Sequence, residues 1–171
     1  MFFRSMKVWI AATVLVVLVL AGTAIGVHVT SSTSFCLSCH EMRVHQQELA
    51  LSPHAQDARG NAIECVQCHI PSTNIVRMLS AKTWLGTKDL WVHATTGGSV
   101  TLNRREIQPE ARRFMDDANC RACHEDLYRN AKNDGAISEY GRLAHDNYLD
   151  KNGSSRSGCA GGHRNIAHLP P

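Results

Sequence analysis

Cysteine and histidine carry the chemistry of this chain. Three stretches read Cys-x-x-Cys-His: Cys36-Leu37-Ser38-Cys39-His40, Cys65-Val66-Gln67-Cys68-His69 and Cys120-Arg121-Ala122-Cys123-His124. A fourth, Cys159-Ala160-Gly161-Gly162-His163, keeps the first cysteine and the histidine but has glycine where the second cysteine would stand. Two thiols at this spacing can each form a thioether to a haem vinyl group, and the adjacent histidine is placed to ligate the iron. All seven cysteines of the chain lie in these four strings. Zinc ribbons also use Cys-x-x-Cys pairs but need no histidine after each second cysteine. A disulfide over so short a loop removes little chain entropy, and a thioredoxin-like pair wants a βαβ pattern that is absent. The strings therefore read as covalent haem c sites, and the chain as a multihaem cytochrome.

Each iron takes up to two axial ligands, and the motif histidines His40, His69, His124 and His163 supply one apiece. Outside the motifs stand His28, His45, His54, His93, His145 and His168. His54, His145 and His168 lie near a motif in sequence and are the candidate second ligands. His28 falls at a membrane boundary and His45 on an expected surface turn, so neither is expected to ligate. Paired histidines give low-potential haems, whereas methionine raises the potential. Met42 stands two residues after His40, although a methionine is more often core filler.

These residues need elements to hold them. Val8 to Val27 is twenty residues without a charge, enough for a helix to span a bilayer. Arg4 and Lys7 precede it and place the N-terminus in the cytoplasm. The alternative is a signal peptide cleaved near Ala24; the length of the apolar run favours a retained anchor. The expected organisation is a cytoplasmic N-terminus over 1–7, an anchor over 8–28 and a periplasmic haem domain over 29–171. Thr30 to Ser34 reads as a short linker that holds the first haem near the membrane. The domain divides into two halves of similar layout, about 36–95 and 110–171, each with a haem site, a free histidine and a second haem site. Asn74 to His93 has helical periodicity, with a break at Thr95-Thr96-Gly97-Gly98. Pro109 to Asp117 reads as a further short helix and Asp150 to Gly158 as a loop. The expected fold is mainly α, with extensive loops wrapped around haem and no strands. Aromatics make up 6% of the chain and the net charge is +3; no basic block with interleaved aromatics points to nucleic acid.

Lys82 and Asp89 are seven residues apart on the expected helix and so lie on nearly the same face. Periodicity alone makes such a pair a solvated surface.

The chain resembles the NapC/NirT/NrfH family of membrane-anchored multihaem quinol dehydrogenases. The resemblance rests on the N-terminal anchor, the four haem positions, Cys36-Leu37-Ser38-Cys39-His40-Glu41-Met42-Arg43, and the closing Gly162-His163-Arg164-Asn165-Ile166-Ala167-His168. It implies that Met42 replaces His40 as ligand of the first iron and leaves the other face open to quinol. It implies that His168 serves the second haem with His69, and His54 the third with His124. The fourth would use His163, with His145 or a lysine of a partner protein opposite it; the presence of His145 favours the internal ligand. Lys82 and Asp89 become residues of a quinol site, which needs titratable groups because quinol oxidation releases protons. Trp84, Lys88 and Trp91 can line that pocket or meet the membrane interface.

At Gly162 the chain departs from the family pattern. Three readings are open: a fourth haem held by one thioether, a fourth haem lost, or a variant or error in the recorded sequence. The leading functional expectation is oxidation of membrane quinol, menaquinol in particular, and delivery of electrons to a periplasmic reductase. A multihaem nitrite reductase is the first choice of partner and a periplasmic nitrate reductase the second. The alternatives are a membrane-tethered electron carrier without its own quinol site and a haem- or metal-sensing anchor.

Overall fold

The computed structural model describes residues 2–97, 103–131, 134–150 and 158–168. Helix α1, Phe2–Val29, contains a 24-residue apolar span, Met6–Val29, of mean hydropathy 2.6. At 1.5 Å per residue that span rises about 36 Å, enough to cross a hydrocarbon core of about 30 Å. Its side chains are exposed all round rather than along one stripe, as a lipid-facing helix requires. After a turn at Thr30–Ser32 the chain enters α2, Thr33–Cys36, then a 3-10 turn over His40–Met42, and α3, Arg43–Ala50. There follow α4, Cys65–His69; α5, Ile75–Thr96; α6, Arg104–Arg113; α7, Asp117–Arg121; α8, Glu139–Asp150; and α9, Gly158–Gly162.

The long helix α5 begins at Asn74, whose side chain accepts bonds from the Val76 and Arg77 amides, and ends on Gly97 in the left-handed conformation at φ 60°. The first is a standard helix-start signal and the second a standard stop. The expected helix over Asn74–His93 is thus found, but runs one turn further through Thr95 and Thr96. The helix expected from Pro109 to Asp117 is instead two. One is α6, which begins five residues before Pro109 and carries it inside; the other is α7, started by an Asp116 cap on the Ala118 amide. A proline inside α6 costs a backbone bond without forcing the helix to begin there. The expected loop over Asp150 to Gly158 lies mostly outside the described residues.

Every haem motif contains or adjoins a one-turn helix: α2, α4, α7 and α9. Such helices are too short to persist alone, and each is pinned at its start. Ser32 caps α2 through the Phe35 amide, Glu64 and Gln67 form a capping box on α4, and Asp116 caps α7. For α9, the Cys159 amide donates to Asp117 Oδ1 at 2.8 Å. These turns pack in sequence order: α2 against α4, α4 against α7, and α7 against α9. Among the described residues there is no strand, only isolated bridges at Gln56–Ala62 and Arg129–Ala136. Apolar burial is thin: among the described residues, Leu49, Ala81 and Pro71 are the buried apolar ones.

Candidate functional site

The histidines stand in opposed pairs. Ring centroids of His54 and His124 are 5.9 Å apart, those of His69 and His168 5.9 Å, and those of His145 and His163 6.0 Å. Two imidazoles on opposite sides of one iron, each bonded at about 2 Å, put their centroids roughly 6 Å apart. The first two pairs join one sequence half to the other, so the halves share their histidines rather than forming separate units. His40 has a ring neighbour too, His93 on α5, at 6.3 Å.

The outer nitrogen of each second histidine is tied to a backbone carbonyl. His54 Nδ1 lies 3.3 Å from Ile166 O, His168 Nδ1 3.1 Å from His45 O, and His145 Nδ1 2.6 Å from Leu127 O. A carbonyl can only accept, so each Nδ1 carries the proton and each Nε2 keeps its lone pair for a metal. Burial, then the neighbouring His168 and His45, push the His69 imidazole down to about 4. Burial and His54 likewise lower His124. Both rings therefore stay neutral, the form that ligates.

His45 is not on a surface turn as expected. It is half-buried within α3, and its ring lies 5.4 Å from that of His168. Glu48, one turn on, has Oε2 3.5 Å from His45 Nδ1 and 3.7 Å from His168 Nδ1.

The free thiols of successive motifs are neighbours: Cys36 hydrogen-bonds with Cys65, Cys68 lies within electrostatic reach of Cys123, and Cys120 hydrogen-bonds with Cys159. Cys39 is half-buried and Cys123 exposed. Burial, followed by the Asp117 carboxylate, pushes the Cys159 thiol up to about 12. Paired thiols beside neutral, opposed imidazoles form a donor set that suits c-type haem. The interval between motifs two and three is bridged by Asn119, a buried residue that carried no sequence signal. Its Oδ1 accepts from Ser72 N at 3.3 Å and Ser72 Oγ at 2.9 Å; its Nδ2 donates to Ile70 O at 2.8 Å and Cys68 O at 3.4 Å.

Around the first motif, Met42 closes the 3-10 turn and is partly exposed. Glu41 sits between two imidazoles: His93 Nδ1 is 2.9 Å from Oε1, and His40 Nδ1 is 3.5 Å from the buried Oε2. A local backbone bond, then the one from His93, hold the Glu41 carboxyl below its ordinary range. His93 had a readable signal, since it lies one turn beyond Asp89.

Lys82 reaches from α5 to the end of α1. Its Nζ donates to Ser31 Oγ at 2.7 Å, Thr30 Oγ1 at 3.1 Å and Val27 O at 3.3 Å. A cation there satisfies an orphan carbonyl and complements the helix dipole. Desolvation lowers its pKa. Asp89 keeps 62% of its side chain accessible and has Lys88 Nζ 3.9 Å away. Neighbouring atoms still crowd its carboxyl enough to raise its pKa, with Lys88 opposing the shift. No hydrogen bond or ion pair joins Lys82 to Asp89. Trp84 and Trp91, seven residues apart on α5, are both exposed.

Comparison with known proteins finds relatives over most of the chain. The tetraheme c-type cytochrome CymA of Shewanella oneidensis is 29% identical over 152 residues, covering 84% of this chain and 79% of its own. The cytochrome c-type protein NrfH of Wolinella succinogenes is 29% identical over 161 residues, covering 93% of this chain and 80% of its own. The cytochrome c-type protein TorC of Escherichia coli is 30% identical over 154 residues, 86% of this chain but only 37% of that longer protein. No solved structure matches the chain. The profile of the NapC/NirT cytochrome c family, N-terminal region, matches residues 2–171, and the chain belongs to that family of haem-binding electron-transport cytochromes.

Proposed function

We propose that the protein is a single-pass inner-membrane quinol dehydrogenase whose haem domain faces the periplasm. It takes electrons from menaquinol beside the first motif and delivers them to a periplasmic reductase. The observation that carries this reading is the packing order of the motif helices, α2 to α4 to α7 to α9, starting one turn beyond the membrane helix. Bound at these motifs, haem c would supply one-electron carriers in that same order. His69 with His168, His124 with His54, and His163 with His145 are the proposed ligand pairs, and Met42 the proposed ligand at the first site.

The remaining work falls to side chains of α5. Lys82, fixed to the end of α1, holds the site at the bilayer surface and keeps a cation near Cys36 of the first motif. Asp89, accessible and with its pKa raised, accepts a proton as the quinol is oxidised. Exposed Trp84 and Trp91 suit the headgroup level. Arg4 and Lys7, before the uncharged run Val8–Val27, set the orientation. A multihaem nitrite reductase is the proposed acceptor, with a periplasmic nitrate reductase next. Reduction of the purified, haem-loaded protein by a menaquinol analogue tests the reading. Lys82→Ala and Asp89→Ala are expected to slow reduction with haem content unchanged; unchanged rates would remove the quinol site.

One observation favours a second reading, a tethered carrier with no quinol site. The His40–His93 spacing, 6.3 Å, approaches that of the other pairs, and two histidines at the first site would leave no open face for quinol. Under the first reading Met42→Ala changes the spectrum of the first haem and His93→Ala leaves its ligation intact. Under the second the effects are exchanged.

A further inference from the structure

The fourth motif lacks a cysteine, yet its backbone closes as an intact motif does. His163 N bonds to Cys159 O at 2.9 Å, as His124 N bonds to Cys120 O at 2.9 Å. Its histidine is opposed like the others, with His145 at 6.0 Å and the outer nitrogen of His145 tied to Leu127 O. The backbone at the remaining cysteine is held in place. Gly158 sits at φ +52°, and a Cβ there would meet Asp117 Oδ1 at 2.6 Å. Only glycine lets Asp117 close on the Cys159 amide, at 2.8 Å. The thiol itself lies among Asp117, Tyr148 and Cys120. At the missing position the surroundings are open: nothing lies within 4 Å of where a Gly162 Cβ would stand, and its φ is not in the left-handed region.

We infer that Cys159 is a single-thioether attachment site for a fourth haem, axially served by His163 and His145, with the second vinyl group left unreacted opposite Gly162. The inference rests on the haem-site reading above and extends it to a motif that is incomplete. The attachment is an addition. The Cys159 S–H bond and the vinyl π bond break, a C–S bond forms, and the hydrogen passes to the other vinyl carbon. No oxidant is consumed and nothing leaves. Loss of the Gly162 thioether removes one tether but neither iron ligand.

The test is the mass of the mature, full-length protein under denaturing conditions, with a tryptic map. Four covalent haem increments are expected, one of them on peptide 157–164, which contains Cys159 as its lone cysteine. The alkaline pyridine spectrum should show a haem α band displaced to longer wavelength, because one vinyl remains conjugated with the ring. Gly162→Cys should keep four haems and move the band back, whereas Cys159→Ala should leave three covalent haems. Three increments, a free thiol on peptide 157–164, or a fourth haem that dissociates on denaturation would each overturn the inference. The map of the unaltered protein decides the matter even if a variant fails to accumulate. Quinol reduction reads separately: three covalent haems with intact reduction would sink this inference alone. Four haems without reduction would sink the proposed quinol chemistry alone.

Discussion

Replacing Asn119 with alanine removes a buried side chain that ties the second motif to the third. The residue is 8% exposed and makes four contacts, at 2.8, 2.9, 3.3 and 3.4 Å. Allowing about 1 kcal/mol for each short bond and about half that for each long one gives a loss of roughly 3 kcal/mol. Asn119→Asp is the sharper probe. Its ionised carboxylate still accepts from Ser72 but turns an oxygen onto the carbonyls of Cys68 and Ile70, where the amide donated. That repulsion raises the aspartate's folded pKa above its unfolded value, so the folded state binds the proton more tightly. Stability of Asn119→Asp should therefore be best at acid pH and fall as pH rises through the folded pKa. Guanidinium unfolding in detergent, followed at the haem Soret band at several pH values, reads both effects. An alanine variant within about 0.5 kcal/mol of the parent, or an aspartate variant with the parent's pH dependence, would refute the bridging role.

Other consequences are equally direct. Lys82→Met removes three bonds to the end of α1 and should loosen the helix junction, seen as faster amide exchange at Val27–Ser31; Lys82→Arg should restore much of the protection. Because burial pushes the Asp89 carboxyl up, quinol-dependent reduction should fall on acidification at a higher pH than an unperturbed aspartate would set. Asp89→Asn should be slow throughout and lose that limb of the profile. Asn165 holds φ 58° in the turn leading to His168. Asn165→Gly should therefore be nearly neutral in thermal unfolding, while Asn165→Val should cost about 1–2 kcal/mol.

What could be read from the sequence was local. The Cys-x-x-Cys-His strings are contiguous, α1 is marked by its uncharged run, and α5 is long enough to show its period. The pairings proposed for His54, His145 and His168 came from family resemblance; spacing alone only nominated those residues. The remainder depended on how one-turn helices stack, and helices so short carry no periodic signal. His45 looked like a turn residue because nothing local revealed that the C-terminal segment returns to α3. Asn119 was silent because its partners lie 47 to 51 residues away. His93 was overlooked although it shares a face with Asp89. The displaced α6 start shows that one internal proline is a poor boundary marker.

The central claim is that this chain oxidises quinol itself. Unaltered, haem-loaded protein in lipid vesicles, mixed anaerobically with a menaquinol analogue, tests it most directly. The account predicts rapid haem reduction, with protons released on the side that carries the haem domain. Haems that stay oxidised with the quinol, yet are fully reduced by dithionite, would contradict it.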